Sequence, residues 1–458
     1  MATKILLLKD ADFVIRDSST IEKSSSVVIQ GNLIAEVGKA ETLERKYAFD
    51  EIHDCRGHII LPGLINCHTH INETMMRGLG HDLNVFDWFN KLVFPMAQAM
   101  ESEGDELYYR VAQFTAMEAI SSGTTALVEN NANFGKRHAY ALAKALSDFG
   151  IRGAIAKGAE DYSPIDYGHV SSTENEIKET REFIEKWKRE KNDLVQAWIG
   201  PSGGKRAVGG CTSTLLRELK RLAKSFQIHT HMHLASSLGE RELVRKETNF
   251  PGSIAYANDL GLLDECTSLA HCVWMTEEEQ TILKSTRTKV VHCPSTAQIH
   301  VLGVQPLPEL LEQGTICAIG TDGAPTNDSF DMFRETRQAI LLHRIHAMSA
   351  AAISHIQAFR MATEFGASVL GIENLGKIEK GYLADIVSIR VGDNLYLNPV
   401  YDPLETIVYA CSGGRDVAMT IVNGKILYKN GEFKTVDAKK IISQIRESAI
   451  RLERSIKF

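Results

Sequence analysis

At 458 residues the chain has room for about three domains of average size, or for fewer if one of them is a barrel of about 250 residues. Its 51 Lys and Arg stand against 58 Asp and Glu, a net charge of −7. That balance speaks against a counterion-releasing surface for nucleic acid or anionic membrane and points to a small-molecule partner.

Hydrophobic residues make up 44% of the chain and charged ones 24%, and no apolar run reaches the roughly 18 residues of a membrane span. The opening MATKILLLKDADF meets charge too early for a signal peptide, so a cytoplasmic protein is expected. The eight cysteines include no C-x-x-C pair and fall mostly in apolar segments, as small buried hydrophobes in a reducing compartment do.

Three extended segments come first: ILLLKDADFVI, SSVVIQGNLIAEVG with its Gly-Asn turn, and EIHDCRGHIILPG. From residue 59 to about 374, eight short β-branched runs then alternate with helical patterns. The runs are ILPGLINCHTH, TTALVEN, IRGAIAKG, VQAWIGPS, IHTHMHLA, TSLAHCVW, KVVHCPS and TICAIGTDG. Between them lie amphipathic stretches such as ELYYRVAQFTAMEAI and TENEIKETREFIEKWKRE, the latter read as a solvated outer face. Eight such units predict an α/β fold of the (β/α)8 TIM-barrel type over 59–374. Beyond it LADIVSIR, TIVYA and AMTIVNGKILYKNGEF read as strands, with Asn423-Gly424 and Asn430-Gly431 as hairpin turns. Residues 436–458 read as a C-terminal helix that packs back on the body.

Chemistry in such a barrel gathers at the C-terminal ends of the strands. There the runs carry His68 and His70, His231 and His233, His271, His292 and Asp322. Two residues apart on a strand, His68 and His70 leave it in the same direction and can bite one ion. A third imidazole, His233, and the Asp322 carboxylate complete a mixed nitrogen and oxygen site with room for water, which suits Zn²⁺ or Fe²⁺ and disfavours calcium and magnesium. His229, His231 and His233 share parity, so His231 points as His233 does, one pleat deeper.

These residues carry a resemblance. PGLINCHTH, HMHLA, LAHCV, VVHCPS and GTDGAPTND resemble successive motifs of the chlorohydrolase and deaminase branch of the amidohydrolase superfamily. MMRGLGHDLNVFDWF, LGKIEKGYLADIV and IVNGKILYKNGEF extend the likeness along essentially the whole chain. The resemblance implies a metal-dependent barrel beside a small β-sandwich formed by both termini, residues 1–58 plus 375–435. It implies that His68, His70, His233 and Asp322 bind one divalent transition metal per chain, Zn²⁺ first and Fe²⁺ second. His271 would be a further ligand or a partner of the bound water, and Asp322 would take that water's proton. Metal binding lowers the pKa of water from about 16 to roughly 7, so a hydroxide nucleophile is implied, steadied by His271. Two-metal members bridge their ions with a modified lysine at the end of strand four. Here that strand ends in Ile199-Gly200-Pro201-Ser202, so one ion is expected and Lys157, near the end of strand three, is read as a pocket-edge or surface lysine. The family habit also implies a homo-oligomer.

One position departs from the pattern. Deaminases of the branch carry a glutamate three residues after the strand-five histidine, where it protonates the substrate ring, and here that position is Ser236. Glu73, three residues beyond His70, is the candidate replacement, whereas Glu240 reads as a solvated helix residue. Trp88 and Phe86 resemble the aromatic segment that covers a planar substrate. His292 is expected at the pocket mouth in contact with substrate, with Ser236 and His81 as further contacts.

The function so implied is hydrolysis of a non-peptide C–N bond in a small nitrogen-containing compound, first as an aminohydrolase of a purine, pyrimidine or triazine-like ring. Ser236 keeps an amide, urea or carbamate hydrolase, or a chlorohydrolase, as the alternative. A catalytically silent binding protein is a more remote one, because all five metal-site positions are filled.

Overall fold

The computed structural model describes residues 4–131, 135–163, 170–204 and 210–455, without the side chains of 85 and 86. The chain opens with β1 (Ile5–Ile15), β2 (Ile21–Gln30), β3 (Leu33–Gly38), β4 (Glu51–Asp54) and β5 (His58–Pro62). Next come β6 (Leu64–His70), β7 (Thr124–Asn130), β8 (Arg152–Ala159), β9 (Val195–Pro201), β10 (Thr230–Leu234), β11 (Thr267–His271), β12 (Lys289–His292), β13 (Cys317–Ile319) and β14 (Asp322–Gly323). The last four are β15 (Ile386–Arg390), β16 (Val417–Val422), β17 (Lys425–Lys429) and β18 (Glu432–Phe433).

The two ends of the chain share one hydrogen-bonded sheet in the order β18-β17-β16-β15-β5-β1-β2-β3, with β4 beside β1. Side-chain alternation explains its two faces. Leu6, Leu8, Val27, Ile29, Ile60 and Ile386 turn into a core of the sheet's own, while Leu7 and Val28 face the other way under Leu43 of the helix Ala40–Lys46. On β5 and β15 the alternate residues Ile59, Leu61, Val387 and Ile389 join the main core of the molecule instead. Both predicted hairpin dipeptides form turns with left-handed backbone, at Asn423 (φ 50) and Gly424 (φ 76) and at Asn430 (φ 50) and Gly431 (φ 88).

The second sheet is parallel, in the order β13-β12-β11-β10-β9-β8-β7-β6-β14. Only Gly320 and Thr321 separate β13 from β14, so both ends of this ladder lie on one chain segment. β6, β7 and β8 are buried along their whole length, as strands of a parallel sheet covered on both faces are.

Two segments differ from their sequence reading. TIVYA is not a strand but part of the helix Pro403–Ala410, whose first turn is capped by Asp402 accepting from the Leu404 and Glu405 amides at 2.8 and 3.0 Å. A short apolar run does not distinguish strand from helix, and the Asp-Pro start was the deciding signal. ILPGLINCHTH is two strands, not one. It breaks at Gly63, where a Cβ would lie 2.1 Å from Thr125 Oγ1, so β5 pairs with β15 in the terminal sheet and β6 enters the parallel one.

All eight cysteines are free, and all but Cys266 are buried. The C-terminal helix Ala438–Glu453 lays Ile441, Ile445 and Leu452 on the body, and its Arg451 pairs with Glu103 at 2.8 Å. No described helix is long and apolar enough to cross a membrane.

A buried ion pair joins the two sheets. Arg152, at the start of β8, reaches both carboxylate oxygens of Asp385 at 2.8 and 3.0 Å, and the Asn423 amide donates to the same carboxylate at 2.8 Å. Both side chains are almost fully enclosed, so removing one partner leaves an uncompensated charge. Arg152→Ala is expected to lower stability by about 3–5 kcal/mol in urea unfolding. A loss below about 1 kcal/mol would show that the pair does not hold the two sheets together.

Candidate active site

The expected cluster assembles at the C-terminal ends of β6, β10 and β11 and the start of β14. On β6 the ladder to β7 slips between Asn66 and Thr69, a bulge at the position of His68. Gly320 makes room for that histidine, since a Cβ there would fall 2.6 Å from His68 Cβ. His271 (φ 74) and Asp322 (φ 62) both hold left-handed backbone at the ends of their strands, a strained state for a residue with a side chain.

His70 Nε2 and His68 Nε2 lie 3.2 and 3.4 Å from Asp322 Oδ1, and His271 Nε2 lies 3.9 Å from Oδ2. His70 Nε2 and His233 Nε2 are 3.1 Å apart. Bonds of about 2.0–2.1 Å in a tetrahedral zinc site separate neighbouring ligand atoms by about 3.3 Å, so the spacing suits that ion.

The tautomers make the case stronger. His70 Nδ1 sits 2.6 Å from the Asn130 carbonyl oxygen and His233 Nδ1 sits 2.8 Å from that of Ser202. A carbonyl only accepts, so each Nδ1 carries a proton and, in the neutral form of the ring, each Nε2 turns a lone pair toward the same point. Two lone pairs and a carboxylate facing one another at this range fit a divalent cation. His68 is oriented differently, with Nδ1 2.8 Å from His231 Nε2, whose own Nδ1 is 2.8 Å from Ser268 Oγ. Burial, then the charges of His68, His70 and His271, hold the His231 ring well below the usual range, so it serves as a neutral link.

Three carboxyl groups crowd this centre. Burial opposes the ionisation of Asp322, yet contact with His68 and the charges of His68, His70 and His271 hold its carboxyl well below the usual range. Glu73, on the 3-10 turn Ile71–Met76, is enclosed, and its Oε2 has no hydrogen-bond partner among the described residues. It packs against Gly323, where a Cβ would come within 1.6 Å of that oxygen. Burial first, then Asp322 and Glu129, push the Glu73 carboxyl well above its ordinary value. Glu129, at the end of β7, accepts from Thr69 Oγ1 at 3.0 Å and the Ile71 amide at 2.7 Å, and burial still pushes it up to about 8.

Residues 59–427 match the family model of the amidohydrolase family. The chain belongs to that family and is a hydrolytic enzyme. This amidohydrolase is 33% identical over 437 residues to a 5'-deoxyadenosine deaminase of Methanopyrus kandleri, covering 95% of this chain and 96% of the relative. It is 31% identical over 451 residues to a 5-methylthioadenosine/S-adenosylhomocysteine deaminase of Syntrophomonas wolfei, covering 98% and 99%. Its fold superposes on the crystal structure of a zinc-bound adenosine deaminase from Xanthomonas campestris with a TM-score of 0.89 at 24% identity, over 98% of each chain.

Other expected positions in the amidohydrolase fall less simply. Ser236 is buried just past β10, but its hydroxyl donates to Glu240 at 2.8 Å and so turns away from a substrate. Glu240 is not solvated: it is 2% exposed and accepts from the amides of Ala235 and Ser236 and the hydroxyls of Ser236 and Ser253. It brackets the strand end, and four donors occupy it. Nor is Lys157 a surface residue. Its ammonium is buried, donates to the Gly158 carbonyl at 2.9 Å and lies 3.7 and 3.6 Å from Glu176 and Glu179 of the helix Thr173–Arg189.

His292 is buried rather than at a pocket mouth, with Nε2 3.1 Å from His343 Nε2 on the helix Met332–His346. Period-two alternation puts Cys293 on the opposite face, where it groups with His271 and Asp322. Trp88 is buried beside His300, His81 pairs with Asp328 at 2.8 Å, and His229 stacks on Trp198. The Phe86 side chain lies outside the described residues. Sequence reasoning missed Asn130, Ser202 and Ser268, which orient the histidines, two of them through backbone carbonyls that carry no side-chain signal. It also missed Cys293 and Glu129, although both stand at strand ends.

His231→Phe should remove the partner of His68 Nδ1 and weaken metal binding by about 10–100-fold, measured by competition with a chelator. Unchanged affinity would show that His68 needs no such support.

Proposed function

We propose that this amidohydrolase is a mononuclear aminohydrolase, with zinc as the first-choice metal, that releases ammonia from the purine ring of an adenosine-type nucleoside. The observation that carries it is the convergence of His68, His70, His233 and Asp322 with Glu73 enclosed beside them. Deaminases of adenosine derivatives at 31–33% identity along nearly the whole chain support the substrate class.

A divalent metal held by those four residues supplies a nucleophile from water at neutral pH. Asp322, kept ionised by the surrounding imidazoles, accepts the proton of the attacking water and hands it to the departing amine. His271 steadies the attacking oxygen from the Oδ2 side of Asp322. Glu73 gives a proton to a ring nitrogen as the ring is attacked, the task that Ser236 does not perform with its hydroxyl committed to Glu240. Trp88 walls the pocket against a planar ring. One metal per chain suits the site, since Lys157 is tied to Glu176 and Glu179 away from it.

The same reading takes the parallel sheet as a closed (β/α)8 barrel. Its support is the ladder that begins and ends on one chain segment, and an apolar cluster to which β6, β7, β8, β9, β12 and β13 all contribute. The terminal sheet, folded over its own core, is the small β-sandwich beside it.

The purified protein should contain one transition-metal ion per chain and release ammonia from adenosine or 5'-deoxyadenosine. Two tightly bound ions would sink the mononuclear assignment. Glu73→Gln should cut kcat at least about 10²-fold with metal content intact, and Ser236→Ala should cost little. Near-normal turnover of the nucleoside in Glu73→Gln would show that Glu73 is not the ring acid, and absence of ammonia release in the wild type would transfer the assignment to an acyclic C–N bond or to dehalogenation.

A further inference from the structure

Two segments that follow strand ends meet beside the site at a pair of rings. Trp88 comes from the segment after β6, and His300 stands at the end of the helix Pro294–Ile299 after β12. Their centroids are 5.1 Å apart and their planes cross at 66°. The helix that carries His300 is tied to the turn after Asp322 by the Thr296 hydroxyl, which donates to Thr326 Oγ1 at 2.9 Å.

Both nitrogens of His300 are buried, and neither has a hydrogen-bond partner among the described residues. Trp88 Nε1 and Glu73 Oε2 are in the same condition. Buried polar atoms are normally satisfied, so an imidazole left with two of them lowers stability, and a plain carbon ring would pack against Trp88 without that cost. A neutral imidazole offers one donor and one acceptor, which Trp88 as a donor only does not duplicate. The charges of Asp322 and His81 both reach the His300 ring. His81, whose charge reaches that ring, is partly exposed and pairs with Asp328 at 2.8 Å.

We propose that His300 determines substrate specificity by hydrogen-bonding a purine nucleoside on the part of the molecule away from the reacting carbon, with Trp88 backing its ring. The proposal deepens the deaminase reading and rests on it for the ligand class.

Calorimetric binding of purine riboside, which lacks the amino group, tests it on the metal-loaded wild type, His300→Phe and His300→Gln. His300→Phe should raise Kd at least about tenfold, the worth of one good hydrogen bond, with metal content unchanged and Tm equal or higher. His300→Gln, which restores a donor and an acceptor, should recover part of the affinity. Wild-type affinity in His300→Phe overturns the proposal, and so does weaker binding accompanied by a lower Tm or lost metal, the mark of a structural role. Failure of the wild type to bind purine riboside overturns the ligand class and the proposal with it. If the wild type releases no ammonia from 6-aminopurine nucleosides yet His300→Phe still loses affinity, the deaminase reading fails and the role of His300 stands.

Discussion

The centre depends on two hydrogen bonds from imidazole Nδ1 to backbone carbonyls, His70 to Asn130 and His233 to Ser202. They put a proton on Nδ1 of each ring and turn both Nε2 atoms toward one another, 3.1 Å apart. Backbone carbonyls at the ends of β7 and β9 cannot rotate away, so the sheet holds both rings in that orientation.

Around that point the protein places carboxyl groups whose environments push them apart. Asp322 is held as an anion by contact with His68 and the charges of His68, His70 and His271, while burial first, with carboxylates close by, pushes Glu73 and Glu129 upward. One low-dielectric pocket thus holds carboxyl groups pushed in opposite directions. Gly323 is part of this design, because the space a side chain would fill there belongs to the Glu73 carboxyl.

Rigidity reaches the centre from outside. Glu240 brackets the end of β10 with four accepted hydrogen bonds, and Arg152 and Asp385 lock the terminal sheet onto the base of β8. The terminal sheet contributes no residue to the cluster. Its part is to cover apolar surface of the main core with Ile59, Leu61, Val387 and Ile389.

Local sequence patterns are enough to read the parallel strands, the strand-end positions of His68, His70, His233, His271 and Asp322, and the hairpin turns at Asn423-Gly424 and Asn430-Gly431. Each of these is a local pattern: burial on both faces makes a continuous apolar run, side chains two apart share a face, and left-handed turns select Asn-Gly. Period-two alternation also placed His231 behind the cluster. No local pattern reveals that Glu240 is a buried bracket, that Lys157 belongs to an ion cluster, that His292 pairs with His343 or that His300 meets Trp88. In each case one partner lies on a different element, Ser253 in the case of Glu240, and burial depends on what packs over a side chain rather than on its neighbours in the chain. The break at Gly63 is of the same kind, because the Thr125 side chain that excludes a Cβ there comes from the adjacent strand.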